Sequence, residues 1–268
     1  MAIKLFATDV DGTLLNNSRQ ISEGNKAKIR QAVKDGMIFT IATGRMHHSA
    51  TPFVDDLGLG DIPLISYNGA MVRLAKSHKI LYAEYLEENI IHEVLDYAKE
   101  VNVYAQLYSN DTLCYRESCD KSRTYEMRAR VQGEALGDEL YNRTEKVSKM
   151  LVYVEKEQMA EMLKLWQNKF AGRLNIVQSS PEYIELVNTT VSKANAIFKL
   201  AEILGIDRKD ILAIGDSGND VAMLSECEYG VVMGNGTPEA KAAAKYQVAD
   251  NEHDGLAEAI DRFFYEKA

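Results

Sequence analysis

Lys4-Leu5-Phe6-Ala7-Thr8-Asp9-Val10-Asp11-Gly12-Thr13-Leu14-Leu15 opens the chain with a short apolar run that climbs to two carboxylates and breaks at a glycine. Strand side chains alternate faces, so Asp9 and Asp11, two apart, project the same way. Two like charges held together repel unless a cation offsets them. A hard divalent ion, which prefers oxygen ligands, is the natural partner. The same residues also suit an acidic turn after a strand, because Asp and Gly are common in turns. The segments that follow decide between the two.

Downstream, Ser22 has the character of a helix N-cap, and Ala27, Ile29, Ala32 and Val33 recur at helical spacing before Gly36. Met37 to Ala42 is a charge-free apolar run and predicts a buried strand ending at Thr43-Gly44-Arg45. A helix over Ser49 to Leu57 and a strand over Pro63 to Tyr67, ending in Asn68-Gly69, follow. This alternation predicts a parallel sheet with helices on its faces. It resumes near the C-terminus. Ser192 caps a helix opened by Lys193, Ile211 to Ile214 is a strand running into Gly215-Asp216-Ser217-Gly218-Asn219-Asp220, and further helix and strand segments close the chain.

Between these halves the texture changes. A hairpin over Met71–Leu74 and Ile80–Ala83 leads into paired strands with intervening helices, one of which carries the only tryptophan, Trp166. This pattern predicts an α+β unit inserted at 83–187, with 1–82 and 188–268 forming one Rossmann-like α/β core.

Composition narrows the function classes. The 268 residues are 46% hydrophobic and 26% charged, ordinary for a globular protein with a real core. A formal net charge of −9 without a Lys/Arg run argues against nucleic-acid binding. No segment has the length or apolarity of a membrane span or signal sequence, and Cys114, Cys119 and Cys227 lack metal spacing or an even count for disulfides. A soluble, cytoplasmic protein without membrane or nucleic-acid partners is expected, its oligomeric state undecided. The five histidines show no metal spacing: His47-His48 reads as a helix entrance and His253-Asp254 as a cap.

Asp9/Asp11, Thr43, Asn68 and Asp216/Asp220 each follow a predicted core strand, and Lys193 opens a core helix. In open parallel sheets ligands bind beyond the carboxyl ends of the strands, so these distant residues converge on one rim. Asp216 adds a third carboxylate to Asp9 and Asp11, an oxygen-rich set suited to Mg²⁺. The Thr43 hydroxyl, the Gly44 backbone N–H and the Lys193 ammonium at a helix N-terminus suit phosphate oxygens. The set fits phosphoryl transfer. Arg45 reads either as a phosphate contact or as a cover for the rim, and Asn68 as a structural turn or a substrate contact.

These motifs, together with Gly230-Val231-Val232-Met233-Gly234-Asn235 and Asp254-Gly255-Leu256, resemble the haloacid dehalogenase superfamily, in particular its Cof-type sugar-phosphate phosphatases. The resemblance implies that Asp9 is the nucleophile, forming an aspartyl-phosphate, and that Asp11 is the general acid and base. It implies Mg²⁺ on the Asp9 carboxylate, the Asp11 backbone carbonyl and Asp216, with Asp220 in support. Thr43, Gly44, Lys193 and Asn219 would hold the phosphoryl group of a small phosphorylated metabolite. The inserted unit would be a type C2 cap that selects the substrate, with Tyr108, Arg116, Arg123 and Tyr183 as candidates. Ala194 departs from the glycine that usually follows the motif lysine in the group. Asp11, as a second acid, favours a phosphatase or a phosphomutase; a non-catalytic sugar-phosphate sensor is the alternative of another class.

Overall fold

The computed structural model describes residues 3–266. In chain order, β1 (Leu5–Thr8), α1 (Glu23–Lys34), β2 (Ile38–Ala42), α2 (His47–Asp56), β3 (Pro63–Ser66), β4 (Met71–Leu74) and β5 (Ile80–Ala83) come first. The insertion holds α3 (Glu88–Glu100), β6 (Tyr104–Ser109), β7 (Thr112–Tyr115), α4 (Asp120–Ala129), β8 (Gly133–Ala135), β9 (Val147–Tyr153), α5 (Met159–Lys169), β10 (Leu174–Ser180) and β11 (Tyr183–Asn188). The chain closes with α6 (Lys193–Leu204), β12 (Ile211–Gly215), α7 (Val221–Glu226), β13 (Tyr229–Val232), α8 (Pro238–Ala243), β14 (Tyr246–Gln247) and α9 (Gly255–Ile260).

The chain divides into two compact units, residues 1–82 with 192–268 and residues 83–191. In the first, one sheet runs β14-β13-β12-β1-β2-β3-β4-β5. β1 lies at its centre, parallel to β12 (Leu5 opposite Ile211) and to β2 (Leu5 opposite Ile38). Strand alternation sorts the core into two layers. Phe6, Phe39, Ile41, Leu212 and Ile214 pack with Ile29 of α1, Val54 of α2 and Leu256 of α9. Leu5, Ala7, Ala42, Ile65 and Ala213 pack with Ile197 and Leu200 of α6 and Met223 of α7. Burying helices on both faces is what the charge-free strand runs require. The expected hairpin is present: β5 lies hydrogen-bonded beside β4 at the end of the sheet, with the Leu74 N–H donating to the Lys79 carbonyl at 2.9 Å, and β4 runs antiparallel to β3.

The second unit is a six-stranded sheet, β10-β11-β9-β6-β7-β8, antiparallel except for β7 and β8. One face carries Leu107, Met150, Val152, Ile184 and Leu186 against Ile91 and Val94 of α3 and Trp166 and Phe170 of α5. The other face carries Tyr108 opposite Lys149, whose ammonium lies 2.9 Å from the Glu185 carboxylate in a buried ion pair.

Two helix starts follow their sequence signals. The Ser22 and Ser192 hydroxyls each accept a hydrogen bond from the backbone N–H three residues on, at 3.1 Å. Other elements differ. The helix expected from Ser49 begins at His47. Helix α5 is preceded by a 3₁₀ turn at Lys156–Gln158, and α9 passes into a π turn at Asp261–Tyr265. Strands β8 and β14 carried no sequence pattern. Among the described residues, no helix is long and apolar enough to cross a membrane, and all three cysteines are free.

Candidate active site

The central strand delivers the first carboxylate. The Asp9 backbone N–H donates to the Ile214 carbonyl at 3.0 Å, extending the β1–β12 ladder one residue past the strand. This fixes the Asp9 side chain among buried groups, where it is 5% exposed. The Thr43 backbone N–H extends the β2–β3 ladder in the same way, donating to Ile65 at 2.9 Å. The C-terminal ends of neighbouring strands therefore share a rim.

Lys193 reaches that rim from the first position of α6. Its ammonium donates to Asp9 Oδ1 at 2.5 Å and to Asp220 Oδ1 at 2.6 Å, and all three side chains are buried. Asp220 is otherwise committed: its Oδ2 accepts from the backbone N–H groups of Asp216 and Ser217, each at 3.0 Å. It holds the loop and the lysine together. Asp216 is turned by Thr13, whose hydroxyl donates to Asp216 Oδ1 at 2.7 Å. Gly12 allows this approach. Its φ is +83°, and a Cβ there would sit 2.5 Å from Asp216 Oδ2.

The electrostatics follow from burial. Carboxylate oxygens of Asp9, Asp216 and Asp220 lie within 4.8 Å of one another. Three carboxylates against one ammonium leave two negative charges uncompensated. Burial, reinforced by Asp220 and Asp216 and opposed by Lys193, pushes the Asp9 carboxyl up to about 8. Burial likewise raises Asp216 to about 6, against the bond from Thr13. Burial by itself would lower the Lys193 ammonium, yet Asp220 and Asp9 hold it well above the usual range. A divalent cation on the Asp9 and Asp216 carboxylates would offset the excess negative charge, so the donor set fits Mg²⁺.

The remaining candidates are placed as follows. Asn68, in left-handed backbone at φ 57°, accepts from Asn219 Nδ2 at 3.3 Å, and a Cβ on Gly44 would lie 2.8 Å from its Oδ1. Asn68, Gly44 and Asn219 are thus neighbours. The Thr43 hydroxyl accepts from the Arg45 backbone N–H at 3.2 Å. The Arg45 side chain makes a two-point pair with the Asp11 carboxylate. Ala194 is fully buried within an intact α6, so the missing glycine has not broken the helix start. In the second unit, Tyr108 is buried with its hydroxyl bonded to Gln106 and Tyr125, and Tyr183 packs edge-on to Tyr125 and Tyr153. Arg116 and Arg123 are exposed, paired with Asp138 and Asp120. His47 is a buried first residue of α2, its ring edge-on to His78, while Asp254 precedes α9 and accepts from the Ser22 hydroxyl.

Sequence reading assigned no role to Thr13, Ser217 or Asn235. Ser217 ties the loop through its bond to Asn219 Oδ1 at 2.8 Å, and Asn235 Nδ2 donates to the Gly12 carbonyl at 2.8 Å. The hydroxyl directly after Gly12 and the amide in the Gly-Asn-Gly loop were the available signals.

A parallel α/β core whose central strand ends in a buried carboxylate, braced by lysine and two further carboxylates, defines a class of phosphoryl-transfer enzymes. The haloacid dehalogenase-like hydrolase profile matches residues 6–260. A Streptococcus pyogenes serotype M6 protein, provisionally named a phosphatase, is 31% identical over 98% of this chain and 99% of its own. A Bacillus subtilis 5-amino-6-(5-phospho-D-ribitylamino)uracil phosphatase is 28% identical over 97% and 98%. The crystal structure of a haloacid dehalogenase-like hydrolase from Bacteroides thetaiotaomicron superposes with a TM-score of 0.88 at 27% identity, covering 98% and 100% of the two chains. The chain belongs to the haloacid dehalogenase-like hydrolases and stands among their phosphatases.

Proposed function

We propose that the chain is a cytoplasmic, Mg²⁺-dependent phosphatase that hydrolyses phosphomonoesters of small metabolites, sugar phosphates above all, through an aspartyl-phosphate on Asp9. The observation that carries this reading is the gathering of Asp9, Asp216 and Asp220 around a buried Lys193 with two negative charges left over. The Bacillus relative named above, whose substrate name includes a phosphorylated ribityl chain, supports a sugar-type substrate.

In this reading Asp9 attacks phosphorus through a carboxylate oxygen. As the new O–P bond forms, the ester P–O bond breaks and Asp11 gives a proton to the departing oxygen. Asp11 then takes a proton from water, the water oxygen bonds to phosphorus, and the Asp9 O–P bond breaks to release phosphate. Covalent and acid–base catalysis combine, the latter worth roughly 10²–10⁴-fold. Lys193, the Thr43 hydroxyl and the Gly44 N–H bind phosphoryl oxygens, with Asn219 beside them. Mg²⁺ would be held by the Asp9 and Asp216 carboxylates and the Asp11 backbone carbonyl, supplying positive charge where negative charge collects. Asp220 orients Lys193. Residues 83–191 select the metabolite.

Purified protein should release inorganic phosphate from p-nitrophenyl phosphate with Mg²⁺ and not with EDTA. Asp9→Asn should lower kcat by about 10³-fold or more, the scale on which losing a nucleophile acts. Wild-type rates in that variant would overturn the assignment of Asp9. Transfer of the phosphoryl group to a second sugar in place of phosphate release would make the enzyme a mutase.

A further inference from the structure

Asp9 is locked by its surroundings, but Asp11 is not. Its carboxylate is 52% exposed and lies just before the Gly12 turn. Among the described residues one side chain fixes it: Arg45 Nε donates to Asp11 Oδ2 at 2.8 Å and Arg45 Nη2 donates to Oδ1 at 2.6 Å. This two-point fork restrains the carboxylate's plane as well as its position, which a single ammonium contact cannot do.

Arg45 is itself firmly placed. Its side chain is 15% exposed, and its guanidinium lies over the Phe53 ring of α2, 5.2 Å from the centroid. Phe53 in turn packs against the core that holds Val54 and Ile41. The Arg45 backbone is held at both ends, its N–H by the Thr43 hydroxyl and its carbonyl by the Tyr67 N–H at 3.0 Å. A partly buried aromatic platform, two backbone bonds and a bidentate pair form one connected support, running from the core to an otherwise exposed carboxylate. The Nε–Nη2 edge, the edge a phosphoryl group would also seek, is occupied by Asp11.

We propose that Arg45 is the positioning residue for Asp11: it holds the Asp11 carboxylate in the orientation from which it handles protons, and acts on the reaction through Asp11 and not by binding the substrate phosphoryl group. The proposal rests on Asp11 having the acid–base role given above. Displacing a proton-transfer group by about an ångström costs on the order of 10²-fold in rate, and Arg45 is the restraint against that displacement.

A double-mutant cycle separates this role from substrate binding. Initial rates with an alkyl phosphate and Mg²⁺ would be measured for wild type, Arg45→Gln, Asp11→Asn and the double variant, with circular dichroism to verify folding. Arg45→Gln should lower kcat by about 10²-fold in the wild-type background, with KM changed by less than about threefold. In the Asp11→Asn background it should lower kcat by less than about twofold. Arg45→Lys, which keeps the charge and loses the fork, should behave like Arg45→Gln, and it serves in its place if the glutamine variant does not fold. An equal loss in both backgrounds, an effect confined to KM, or no effect at all would overturn the proposal. Absence of Mg²⁺-dependent turnover in wild type, or full activity in Asp11→Asn, would instead overturn the reading on which it rests.

Discussion

Asp9, the proposed nucleophile, is buried beside two other carboxylates, and the chemistry proposed for it depends on how that charge is met. Its value of about 8 and that of Asp216, about 6, both lie above the 3.8 of an ordinary aspartate. Between these values the folded, metal-free protein binds more protons than the unfolded chain, so its stability falls as pH rises from about 4 to about 8. A cation on the carboxylates removes that penalty. Thermal unfolding in EDTA should therefore show Tm decreasing across this window through these two groups, and Mg²⁺ should raise Tm more at pH 8 than at pH 5. A Mg²⁺ shift that is equal at both pH values would contradict the electrostatic account of the site.

At the scale of elements, the site depends on loops brought within contact of helix starts. Gly69, at φ +108°, passes so close to the start of α6 that a Cβ would lie 2.2 Å from the Ser192 carbonyl oxygen. Gly69→Ala should cost about 1–3 kcal/mol of stability and raise KM for phosphomonoesters, because it pushes on the turn that carries Lys193. Chemical denaturation and steady-state kinetics read the two effects. Much of this rim was legible beforehand, because β1, β2, β3 and β12 are each a short charge-free run followed by its polar residue: Asp9, Thr43, Asn68, Asp216. The pairing of Arg45 with Asp11 was not legible. The two are 34 residues apart, and only the tertiary placement of α2 and its Phe53 aims the guanidinium. Strands β8 and β14 escaped for a similar reason. They span Gly133–Ala135 and Tyr246–Gln247, and such short segments are defined by the neighbour they pair with, not by any alternation of their own. The π turn at Asp261–Tyr265 follows α9 directly and its Phe263 joins the same core as Leu256 and Ile260, so apolar spacing could not reveal the change of winding.

As a whole molecule, the chain has two units, each with its own hydrophobic core. The second also contains a buried polar layer in which Glu185 offsets the Lys149 ammonium. Burial by itself would lower Lys149, and Glu185 holds it above its ordinary value. Glu185→Ala should cost about 3–5 kcal/mol, the scale for leaving a buried charge without its partner. Trp166, the only tryptophan and fully buried in this unit, supplies the fluorescence signal for the transition. An unchanged midpoint would mean that the pair contributes nothing to the unit's stability. The insertion's existence was readable from the switch to paired strands, but its tyrosine layer was not: Tyr108, Tyr125 and Tyr183 come from β6, α4 and β11 and meet only in the folded sheet.

If Asp9 carries the phosphoryl group during turnover, the Asp11→Asn variant should reveal it. A nitrophenolate leaving group needs little help from an acid, whereas hydrolysis of the aspartyl-phosphate needs Asp11 as base, so the intermediate should accumulate. Acid-quenched Asp11→Asn enzyme, sampled during turnover of p-nitrophenyl phosphate with Mg²⁺ and analysed by peptide mass spectrometry, should carry one phosphoryl group on Asp9, released by hydroxylamine. A burst of nitrophenolate with Asp9 unmodified, or with the phosphoryl group on another residue, would rule out Asp9 as the nucleophile.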